Sequence, residues 1–91
     1  MARYWFHLRD GTDQLLDPDG VELPTLDAAK TCALQSARDT LSNELLEGRM
    51  DLRYRIDVED ETGLVYSLPL GDSFELIPAM AITPSVAKLI G

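Results

Sequence analysis

Residues 3–9 read Arg-Tyr-Trp-Phe-His-Leu-Arg, an alternation that puts Tyr4, Phe6 and Leu8 on one face of a strand and Arg3, Trp5, His7 and Arg9 on the other. A strand so clearly two-faced needs an apolar layer on one side only, which restricts the chain to a sheet with a single covered face. The pattern returns at 53–60, with Tyr54, Ile56 and Val58 inward and Arg53, Arg55, Asp57 and Glu59 outward. Beyond a Glu61-Thr62-Gly63 hairpin connection, Leu64, Tyr66, Leu68 and Leu70 continue the inward stripe on a returning strand.

What covers that face lies between the two strand regions. Pro24 ends an extended segment and Thr25 is a good N-cap, with Asp27 where the helix dipole favours an anion. Leu26, Ala29, Ala33, Ala37, Leu41 and Leu45 then recur at helical spacing up to Gly48, a residue suited to the left-handed position after a helix. The spacing predicts one helix over 26–47, its first half lined with residues small enough to sit close on a sheet. Leu15, Leu16, Val21 and Leu23 supply a weaker extended segment, interrupted by Asp17-Pro18-Asp19-Gly20, whose residues suit a type I turn. The expected fold is therefore α+β: a four-stranded antiparallel sheet in the order β-β-α-β-β, with one amphipathic helix on one face. Residues 1–77 should form a single domain, with Phe74, Leu76 and Ile77 against the edge of its core. Residues 78–91 should be a C-terminal arm, in which Thr83-Pro84 signals a short helix over 85–90.

Composition narrows the function classes. Sixteen acids against eight Lys and Arg leave a net charge of −8, which repels phosphate backbones and anionic lipid, so nucleic acid is an unfavoured partner. Cys32 is the only cysteine, which rules out an internal disulfide and fits a reducing, cytoplasmic setting. The apolar stretch Tyr4–Phe6 is too short for an export signal, and the uncharged run from Leu76 to Ala87 contains two prolines and is too short to span a bilayer. No membrane partner is expected.

The outer sheet face is the main candidate for binding, because Arg3, Trp5, His7 and Arg9 would share it with Arg53 and Arg55. Flat guanidinium and indole groups could stack on and neutralise an anionic or aromatic ligand. The competing reading, weighted above it, is cross-strand pairing with Asp57 and Glu59 on a solvated face. Asp10, Asp13, Asp17, Asp19 and Glu22 invite a cation reading, but neither Asp17 nor Asp57 opens a loop with EF-hand spacing, so no metal is expected. Cys32 on the helix and His7 on the outer face should be separated by the sheet, which leaves a packing thiol and a partly exposed strand histidine. Asp57, Glu59, Asp60 and Glu61 read as a solvated charge run, and the isolated glycines make no phosphate loop. No catalytic residue and no cofactor is expected.

The Arg-Tyr-aromatic-Phe-His opening, the Asp-x-x-Gly turn, the alanine-rich helix and Val58-Glu59-Asp60-Glu61-Thr62-Gly63 together resemble a family of short acidic proteins of unknown function from rhizobia and related alphaproteobacteria. The resemblance spans about residues 3–70. Trp5 stands where such proteins usually carry Phe, and the segment from Pro78 is this chain's own addition.

These readings lead to a non-catalytic cytoplasmic binding module that self-associates, with a dimer favoured. Trp5, Met80, Ile82, Val86, Leu89 and Ile90 are the candidate oligomer contacts. The alternatives are a small-anion or nucleic-acid binder using the aromatic-basic face and, third, a small enzyme with its site between subunits.

Overall fold

Ala2–Arg9 (β1) is the strand on which the sheet is assembled. Strand order in the computed structural model, which describes residues 1–79, follows from what pairs with it. Gln14–Leu15 (β2) and Val21–Leu23 (β3) lie antiparallel along one edge of β1, at its two ends. The other edge pairs with Arg55–Asp60 (β4), which pairs in turn with Gly63–Pro69 (β5). The broad α+β class holds, but the sheet has five strands and not four. The second extended segment is split in two by Asp17-Pro18-Asp19-Gly20.

The split has a clear cause. Proline offers no N–H, and the chain around it bows away from β1, so a side chain replaces the missing ladder bond: Asp17 Oδ2 accepts the Phe6 N–H at 3.2 Å. Its other oxygen accepts from the N–H groups of Asp19 and Gly20. Gly20 is required at the end of this turn, with φ at +71° and an added Cβ 2.9 Å from both Trp5 Nε1 and Tyr4 O. Gly20→Ala is expected to lower stability by about 1–3 kcal/mol and to displace the Trp5 ring. Urea titration followed by tryptophan emission checks both; an unchanged midpoint and spectrum would show that the turn is not pinned to β1.

Leu26–Leu46 (α1) ends one residue short of its expected bound. Thr25 Oγ1 caps it by accepting the Ala28 N–H at 3.1 Å, and Gly48, at φ +82°, turns the chain out as expected. Ala29, Ala33 and Ala37 are fully buried against the sheet, where a larger side chain would hold the helix off. Tyr4, Leu41, Ile56, Val58, Leu68 and Leu70 complete the core. Leu45 does not follow Leu41 inward and stands half in water. A four-residue step at 3.6 residues per turn advances about 40°, so the stripe begun at Ala29 has swung to the helix flank by Leu45.

Leu64 is likewise turned out, at 60% exposure. A bulge lets Tyr66 oppose Val58 while Leu64 opposes Glu59, so Val65 takes the inward place and the alternation reverses before it. Strand β4 begins at Arg55, two residues later than the sequence pattern suggests. After β5 a single 3₁₀ turn, Leu70–Asp72, seats Leu70 in the core, its N–H donated to Tyr54 O at 3.0 Å. Phe74 packs against the core as expected, whereas Leu76 and Ile77 do not, at 80% and 77% exposure. The expected terminal helix and Met80, Ile82, Val86, Leu89 and Ile90 lie outside the described residues. No helix among the described residues is long and apolar enough to cross a membrane.

Candidate functional site

The side of the sheet opposite α1 carries three cross-strand rows: Trp5, Glu59 and Leu64; His7, Asp57 and Ser67; Arg9, Arg55 and Pro69. The central row is the least exposed. Asp57 is not a solvated acid but is buried to 3% exposure, under side chains that close over it. Its Oδ1 accepts from Ser67 Oγ at 2.7 Å and Arg55 Nε at 3.0 Å, and its Oδ2 from Arg9 Nη1 at 3.1 Å. Burial pushes the Asp57 carboxyl up, yet bonds from Ser67, Arg9 and Arg55 outweigh it and hold the group below the usual carboxylate range. The Arg9 guanidinium also binds Glu59 Oε2 at 3.1 Å and Gln14 Oε1 at 3.1 Å, and its carboxylate bonds, first to Glu59 and then to Asp57, raise its pKa further.

His7, expected to be partly exposed, is buried beside Asp57. Its Nδ1 accepts the Asp17 N–H at 3.1 Å, so the neutral ring carries its proton on Nε2, 3.7 Å from Glu59 Oε1. The bowed 17–20 segment folds against every outward side chain at this edge. Besides holding His7, it offers Asp19 O to Arg3 Nη1 at 2.9 Å, and Gly20 lies against Trp5. Arg3 completes its bonding on Glu22 Oε1 at 3.1 Å. Asp17 itself is destabilised as an anion by burial, but the N–H groups of Gly20, Phe6 and Asp19 prevail and keep its pKa low.

Five of the six face residues are thus brought together on or beside the outer sheet, and Arg53 is not. It precedes β4 and forks onto Asp51 at 3.0 and 2.8 Å, a pair that pulls the Asp51 carboxyl down to about 2. Arg3, Arg9, Arg53 and Arg55 each hold a carboxylate, but only Arg3 with Glu22 and Arg9 with Asp57 and Glu59 pair across strands; Arg55 bonds Asp57 within β4, and Arg53 bonds Asp51 ahead of it. Sequence reasoning missed Asp17, Ser67 and Gln14 as members of this network. Asp17 before a proline signals only a turn, and nothing local shows that its carboxylate completes a sheet ladder.

Chemistry needs a cleft as well as groups. Four of the clefts on the described surface are shallow, with volumes of about 190–280 Å³, below the roughly 300 Å³ at which ligand pockets begin. Cys32 is half-buried on α1, on the covered side of the sheet and away from His7. Among the described residues no cluster of His, Cys, Asp or Glu could hold a metal ion, and no buried side-chain polar atom lacks a partner. The smallest cleft lies between Arg9, Arg55 and the 11–14 turn, whereas an apolar one separates α1 from β2.

The geometry defines a small α+β domain whose polar sheet face is closed on itself and whose apolar side chains emerge along the helix. Its sequence belongs to the Domain of unknown function (DUF6894) family, whose model matches residues 3–71, from the opening strand to the turn after β5. No curated protein and no solved structure gives a match.

Proposed function

We propose that this chain is a non-catalytic cytoplasmic binding module that acts by self-association, as a dimer, and through that assembly engages a protein partner. The observation that carries the reading is the exposed apolar surface along both flanks of α1. Leu15 and Leu16 emerge on one flank, with Leu45 and Met50 among the other exposed apolar side chains. A chain with a net charge of −8 could keep such positions polar at little cost to its fold, and leucines in water favour contact with another surface. Anion or nucleic-acid binding is the weaker reading, because Arg3, Arg9, Arg53 and Arg55 are engaged and the overall charge opposes it. An enzyme is weaker again, since neither Cys32 nor His7 lines any of the four clefts described above. The single cysteine supports a reducing compartment.

The direct test is the mass of the full-length protein by light scattering from low micromolar to millimolar concentration. A concentration-dependent dimer is expected. A monomer throughout that range would end the self-association reading.

A further inference from the structure

Resting on that reading, we infer that the groove between α1 and β2 receives apolar side chains from residues 80–91 of a second copy of this chain. The groove has a floor of Phe6, Leu8 and Ile56 and a wall of Leu15 and Leu16, and encloses about 220 Å³. Its wall is held in place from both ends: Leu15 pairs with Leu8 in the ladder, and Asp17 is bonded to Phe6 and His7. Yet Leu15 is 71% exposed. The apolar surface is pre-formed and uncovered, so a ligand need not order it.

Charge selects the occupant. Setting Lys88 aside turns the chain's −8 into −9 on residues 1–79, so two copies of that part repel one another. Residues 76–91 contain no Asp or Glu, and Lys88 is their only charged side chain. They are the longest acid-free stretch of the sequence and carry Met80, Ile82, Val86, Leu89 and Ile90. Asp17 lines the groove, and the adjoining cleft that shares Leu8 and Leu15 is lined by Asp13 and Glu44 against one cation, Arg49, which lies 3.9 Å from Glu44; the rim is therefore acidic on balance where an apolar segment with one cation would meet it.

The path of the chain favours exchange between copies. Ser73 is tied to the opposite flank of α1 by Arg38 Nε, at 2.7 Å from its carbonyl, and Phe74 sits there with Leu41 and Leu45. Leu76 and Ile77 then leave the surface. To reach its own groove the segment would have to cross the polar back of the helix, where Gln35 Nε2 is bonded to Asp39 Oδ1. Reciprocal exchange would engage twelve tail residues and the eight that line the groove on each copy, about twenty a side, the size of a standard interface.

The test uses full-length chains carrying Leu15→Asp in the groove, Leu89→Asp in the tail, or Leu52→Asp as a control on an exposed leucine elsewhere. Light scattering should show the dimer weakened at least about thirtyfold by each of the first two and unchanged by the third. Mixing the groove and tail variants in equal amounts should restore a dimer through the one intact tail and groove, which also shows that both variants fold. Dimers indifferent to both substitutions would overturn this inference and leave self-association standing. A wild-type chain that stays monomeric would remove both, and would make the segment a cap on its own core.

Discussion

Leu70→Ala is expected to destabilise the domain by about 3–5 kcal/mol, more than the same change at Leu41, for which about 2–3 kcal/mol is expected. Both are core leucines, but their surroundings differ. Leu70 is fully enclosed and fixed by the bond from its own N–H to Tyr54 O, so truncation leaves a void that neighbours cannot fill. Leu41 borders the open cleft with Leu45 and Met50, so water and flexible side chains can occupy part of the vacated space. Urea titrations of both variants, with unchanged slope, give the comparison. A Leu41 loss below about 0.5 kcal/mol would mean that the helix face has been assigned wrongly, and equal losses would mean that enclosure does not govern the cost.

Asp57→Asn should lower stability at neutral pH by about 2–3 kcal/mol, because an amide N–H₂ is set among donors where a carboxylate accepted three charged or polar bonds. The value stays below the range for a wholly buried pair because Arg9 and Arg55 both reach water and can be solvated in the variant. The pH dependence gives an independent reading. A carboxylate held below its unfolded value of about 3.9 contributes stability that is complete above that pH and is lost as pH falls through the folded value. Asp57 should therefore steepen the acid loss of stability below about pH 4, and the Asn variant should show a shallower limb there. Asp10, Asp17, Asp51 and Asp60 are also held low, so the limb is reduced and not abolished, with Asp51 extending it toward about pH 2. Thermal midpoints of both proteins from pH 2 to 7 measure it; parallel acid limbs would show that Asp57 ionises as an ordinary exposed acid.

Asp57 also shows where sequence reasoning stops. Its position on the outer face of β4 could be read from alternation, and so could its pairing with the arginines of that face. Its burial could not, because it depends on Ser67 lying opposite across β5 and on Arg9 and Arg55 folding over the same carboxylate. The candidate site was legible as a list of residues but not as a closed network, and Arg53, which shares their parity, left it for a local partner.

Strand alternation, the capped helix and its small-residue stripe are set by periods of 2.0 and 3.6 that any window of the chain displays, so the α+β class, β1, α1 and the 60–63 hairpin follow from residue order alone. The turn at 17–20 was legible too, but Leu45, Leu64 and the bond from Phe6 to Asp17 do not follow, because each depends on a shift that accumulates or is imposed from elsewhere in the fold. The helical stripe rotates until it faces no sheet, one bulge residue reverses the facing of Leu64, and Asp17 takes over a bond that a strand would have made. A local period determines which way a side chain points relative to its neighbours in sequence; only the tertiary structure decides whether anything is there to meet it.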